Sequence, residues 1–153
     1  MAERKYQGEL EFPQNEGGLH MKLVYLYLLT LPVFFGIDLL WIGVLAKDLY
    51  RSSLGHLFRE DINWAAALIF YLLYIVGILI FATLPALEKQ SLGRAVVMGG
   101  LFGFFAYATY DLTNFATLRD WPIKIVIVDI TWGMVLTASV AAASYFIGRW
   151  IVP

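Results

Sequence analysis

Four long apolar runs, each closed by charge, dominate the pattern along the chain. They lie near residues 22–46, 64–87, 95–118 and 123–148, and end at Lys47-Asp48, Glu88-Lys89, Arg119-Asp120 and Arg149. About 20 mainly apolar residues suffice to cross a bilayer. Periodicity alone does not separate a buried helix from a buried strand, but length does. Backbone groups in lipid must be satisfied within the segment or in a closed barrel. The expected fold is therefore an all-α membrane protein, a four-transmembrane-helix bundle over residues 21–153.

The first 20 residues, MAERKYQGELEFPQNEGGLH, break this pattern. They are charged, carry Pro13 and Gly17-Gly18, and show no apolar period; Met21-Lys22 reads like a second start. Residues 1–20 are expected to form a flexible N-terminal extension. The first run exceeds the roughly 7–15 apolar residues of a secretory leader and is expected to be retained.

Local signals refine the boundaries. Asp120 is expected to cap the fourth helix, with Pro122 in its first turn. Pro32 lies inside the first run and Pro85 near the end of the second. The stretch KDLYRSSLGHLFREDIN spaces Leu49, Leu54, Leu57, Phe58 and Ile62 among charges. It suits either an amphipathic segment on the membrane surface or an ordinary polar loop. Short connections after the second and third runs favour antiparallel neighbours. Trp64, Trp121 and Trp150 fall at run ends, where an aromatic belt is expected.

Composition narrows the function classes. Hydrophobic residues make up 60% and charged residues 15%, against about 45–50% and 25% in soluble domains. Mean hydropathy is +0.70. A formal charge of −1 gives no basic surface for nucleic acid, so no nucleic-acid partner is expected. With no cysteine, disulfides and thiolate chemistry are excluded. No cofactor is expected: His20 and His56 are not placed to clasp a haem, and no phosphate loop, dinucleotide fingerprint or zinc motif occurs. The bilayer itself is the expected partner, most simply a bacterial inner (cytoplasmic) membrane. The basic residues flanking the runs, six on the terminal face against five on the opposite face, give only a slight lean toward cytoplasmic termini.

Within the runs, three acids stand out. Asp38 precedes Lys47 by nine positions, Asp111 precedes Arg119 by eight, and Asp129 follows Asp120 by nine. At about 1.5 Å per residue, all three lie roughly 12–14 Å inside the face opposite the termini, here called the distal face. The second run brings Tyr71 to that level, with Tyr74 a turn deeper. On the third, Tyr107, Asp111 and Asn114 share one helix face. Asp38 and Trp41, like Asp129 and Trp132, are one turn apart. A central Asp costs about 2.5–3.5 kcal/mol on insertion scales, and no Lys or Arg lies within the runs at this depth. Protons, a bound cation or shared hydrogen bonds must neutralise the layer. The expected ligand-binding set is Asp38, Trp41, Tyr71, Tyr107, Asp111, Asn114, Asp129 and Trp132; no catalytic or metal role is assigned. The competing reading makes each acid interhelical glue, bonding Tyr, Thr, Asn and Trp. Ala95, Gly99 and Gly103, with Gly133, Thr137 and Ala141, give small-residue spacings that suit close helix packing.

The series IDLLWIG, FYLLYIVGILIF, LPAL, YATYDLTNFATLRDWP and VDITWG resembles the domain-of-unknown-function 2177 family of small bacterial membrane proteins. The resemblance covers roughly Lys22 to Trp150. It implies four membrane spans and weight on Asp38, Asp111, Asn114, Asp129 and Trp132; it supplies no substrate. Three functions stand open. The first is binding or transport of a cation, proton or small polar ligand at the Asp/Trp/Tyr layer. So slender a bundle would then call for a homodimer to transport. The second is a structural or assembly subunit of a membrane complex. The third is a membrane enzyme acting on a lipid or isoprenoid-like substrate.

Overall fold

The computed structural model describes residues 16–151. These are helical throughout apart from short connections. Helix α1, Glu16–Leu40, widens into a π-helical turn at Trp41–Leu45; α2 is Lys47–Leu54, followed by a single 3₁₀ turn at Gly55–Leu57. Helix α3, Trp64–Ile78, passes through a second π segment, Leu79–Thr83, into α4, Leu84–Glu88; α5 is Leu92–Thr117 and α6 is Ile123–Ile151. Four of the resulting rods are long and apolar enough to span a membrane: Gly18–Leu45, Trp64–Glu88, Leu92–Thr117 and Ile123–Ile151.

The four spans fall where the apolar runs predict them, with one shift. Helix α1 starts at Glu16, inside the expected extension. Residues 1–15 lie outside the described part. The π segment at Leu79–Thr83 has a local cause in Pro85, four positions after Phe81. Proline has no N–H for the Phe81 carbonyl and its ring crowds that oxygen, so the helix widens before continuing.

Helix α6 lies at the centre, packed along α5 and in contact with α1 and the α3–α4 rod. Small residues let α5 and α6 approach. A Cβ at Gly99 would stand 2.8 Å from the Ala141 Cβ and from the Thr137 carbonyl. One at Gly103 would strike the Gly133 carbonyl and lie 2.6 Å from Thr137 Oγ1. Ala95, Gly99, Gly103, Gly133, Thr137 and Ala141 are all buried, so the small-residue spacings are a packing seam. Away from the acid layer, Thr30 bonds Ser144 at 2.9 Å, joining α1 to α6.

Two boundary expectations are corrected. Asp120 does not cap α6: it takes a left-handed conformation, φ 60°, in the tight α5–α6 turn, while the Pro122 carbonyl accepts from Ile125 and Val126. Trp64 and Trp150 are exposed, as a belt requires, but Trp121 is buried. It packs with Leu54, Ile125 and Val126, because the stretch after the first span folds back as α2 and covers it. The first half of that stretch is an amphipathic helix, but its apolar side meets the bundle and not a membrane surface. Leu49, Tyr50 and Leu54 dock on the bundle, whereas Leu57, Phe58 and Ile62 stay exposed.

Candidate functional site

All three acids are buried: Asp38 is 2% exposed, Asp111 0% and Asp129 8%. Their partners differ. Asp38, on α1, accepts from the Tyr71 hydroxyl of α3 at 2.9 Å and from the Trp132 indole of α6 at 3.4 Å. Asp129, on α6, accepts from the Tyr50 hydroxyl of α2, which in turn accepts from the Trp41 indole at 3.1 Å. The Trp41 and Trp132 rings stack, with centroids 4.2 Å apart and planes 8° from parallel. The two D-x-x-W turns thus cross over. Each tryptophan serves the other helix's acid, Trp132 directly and Trp41 through Tyr50. This follows from α1 and α6 running antiparallel, which sets Trp132 at the level of Asp38.

Tyr50 was not singled out by sequence reading. It reaches Asp129 because α2 folds back onto the distal end of the bundle, its apolar positions Leu49 and Leu54 seated against Trp121, Ile125, Val126 and Ile130. Burial, and then the bond to Asp129, push the Tyr50 phenol above its ordinary pKa. It therefore remains a proton donor at physiological pH. The one signal for it was the i, i+1, i+5 apolar spacing of Leu49, Tyr50 and Leu54.

Two cavities open beside the acids. One, of about 400 Å³, is lined by Asp38, Lys47, Tyr50, Arg51, Tyr107, Tyr110, Trp121, Asp129 and Trp132, with Ile42, Leu54 and Phe58. The other, of about 430 Å³, is lined by Asp38, Ile42, Phe70, Tyr71, Tyr74, Ala106, Tyr107, Tyr110 and Asp129. Both have Asp38, Ile42, Tyr107, Tyr110 and Asp129 in their walls, so they adjoin across those side chains. Each is of small-molecule size.

Among the expected site residues, Asp38, Tyr71, Tyr107, Asp129 and Trp132 line these cavities. Trp41 does not, but backs Trp132 through the stack. Asp111 lines neither. Both its oxygens are buried without a hydrogen-bond partner, as is the Trp121 indole N–H. Asp129 and Trp121 are near enough to act on it electrostatically, while Arg119 forms no ion pair with it among the described residues. Asn114 is half-buried, next to Tyr110 on its own helix, and lines neither cavity. Tyr74, a possible donor to a carboxylate by its position, bonds Thr137 at 2.9 Å instead. Besides Tyr50, the site gains Lys47, Arg51, Tyr110 and Trp121. No group of three His, Asp or Glu close enough to hold a metal occurs among the described residues.

No curated protein and no solved structure matches the chain significantly. A model of a family of predicted membrane proteins, DUF2177, matches residues 23–146. That match takes in all three acids, both D-x-x-W turns and the whole of α2, and the chain belongs to this family.

Proposed function

We propose that this membrane protein binds a small polar ligand carrying a positive or hydrogen-bond-donating group at the Asp38–Asp129 layer, as a binding or transport protein. The observation that carries this reading is the pair of adjoining cavities with Asp38 and Asp129 in both walls. Packing alone asks for acids bonded to neighbours; it does not ask for about 400 Å³ of space beside them. Carboxylates there supply charge for a cation or acceptors for a donor. The Tyr107 and Trp132 rings supply π faces that favour a cation out of water. Tyr71 and Tyr50 hold the two carboxylates in position.

The assembly-subunit reading draws on the same hydrogen bonds, Tyr71 and Trp132 to Asp38 and Tyr50 to Asp129. It leaves the cavities without a purpose.

The test is a tryptophan-fluorescence titration of the full chain in detergent with ethanolamine and with β-alanine. A saturable change with either, lost in Asp38→Asn and in Asp129→Asn, is the expected result. Saturation untouched by both substitutions overturns the reading, as does failure of both probes together with the two further ones, propionate and phosphoethanolamine, used below.

A further inference from the structure

The first cavity carries charge of both signs. Asp38 and Asp129 form its inner part; Lys47 and Arg51, four positions apart on α2 and so on one face of it, line the same space at the distal face. Among the described residues the one ion pair is Lys89–Glu88, so neither base is spent on either acid. The acids take their hydrogen bonds from neutral donors instead, and Asp129 accepts through Oδ1 alone. Lys47 and Arg51 are exposed, whereas both acids are buried. The cavity therefore runs from a cationic mouth to an anionic floor, with the aromatic side chains of Tyr107 and Trp132 also in its walls.

A ligand that was only a cation would meet two positive charges on entry. A ligand that was only an anion would meet two buried carboxylates at the floor. Like-charge contacts of this kind disfavour binding, and both are relieved by one molecule with opposite charges at its two ends. We infer that the ligand of this cavity is a small zwitterion. Its ammonium end sits between Asp38 and Asp129, and its carboxylate or phosphate end is held by Lys47 and Arg51. Arg51 offers the forked donor geometry that suits either anion. The inference rests on the binding reading above and names the class of ligand for that site.

The experiment compares four probes on the full chain in detergent by tryptophan fluorescence: ethanolamine, propionate, β-alanine and phosphoethanolamine. The last two separate a carboxylate from a phosphate as the outer anion. At least one zwitterion should bind tenfold or more tighter than ethanolamine and than propionate. The Lys47→Ala, Arg51→Ala double variant should bring that zwitterion down to the ethanolamine level, and leave ethanolamine itself no weaker. Both positions are exposed, so the variant keeps the bundle, which an unchanged thermal unfolding profile verifies. If ethanolamine binds as tightly as the zwitterions, or the double variant binds them undiminished, the inference is overturned and the binding site stands. If none of the four probes binds, both fall.

Discussion

The Tyr50 hydroxyl donates to Asp129 across 79 positions of the chain, fastening the short distal-face helix α2 to the central helix α6. This bond, with Leu54 packed on Trp121, makes α2 one wall of the first cavity. Tyr50→Phe would keep the ring and strip the donor, leaving a buried carboxylate oxygen without its partner. A loss of about 1–3 kcal/mol is expected, read as a lowered melting temperature in detergent. A Cys placed at Leu54 should become reactive toward a water-soluble thiol reagent in the same variant. An unchanged melting temperature and an unreactive Cys would show that α2 is held by its apolar contacts alone.

Asp111 behaves differently because no side chain meets its oxygens in normal hydrogen-bond geometry, the Trp121 indole N–H being close by but itself unpartnered. Both of its oxygens are buried and unpartnered, with Asp129 nearby. Asp111→Asn removes the like charge at constant size, and should leave stability unchanged or raise it by up to about 1 kcal/mol. Asp129→Asn should destabilise, since Asp129 holds Tyr50. If the two acids act on one another, the double variant departs from the sum of the singles by about 0.5 kcal/mol or more. Additive effects in thermal unfolding would reject the coupling.

Gly133 is where packing and site meet. A Cβ added there would run into the Tyr107 ring, which is a wall of both cavities. Gly133→Ala and Gly103→Ala should each cost about 1–3 kcal/mol through overpacking at the α5–α6 seam. Gly36 and Gly43 have open space where a Cβ would go. Gly36→Ala should therefore be neutral or stabilising by about 0.5–1 kcal/mol. Equal effects at all these positions would mean that the seam does not set stability.

The topology is open to direct measurement because the natural chain has no cysteine. Single cysteines replacing Lys89 and Arg149 should be labelled from one side of the membrane by an impermeant thiol reagent. Those replacing Arg51 and Asp120 should be labelled from the other. Labelling of all four from one side would overturn the four-span arrangement.

The sequence by itself determined the elements. Apolar runs of this length have one solution in lipid, the helix, so four spans, and the placing of Asp38, Asp111 and Asp129 toward the distal ends of their helices, follow from counting. The small residues at Gly99, Gly103, Gly133 and Thr137 marked the closest packing for a similar reason: only they admit a neighbouring backbone. What counting along one helix does not supply is which side chain meets which across helices. Only the tertiary structure decided that Trp132 serves Asp38 rather than its own helix's Asp129, and that Tyr74 goes to Thr137. It likewise left Asn114 outside both cavities. Tyr50, Lys47 and Arg51 entered the site because α2 doubles back onto the bundle. That choice rests on a few apolar contacts and one hydrogen bond far apart in sequence, and a local pattern of eight residues carries no record of them.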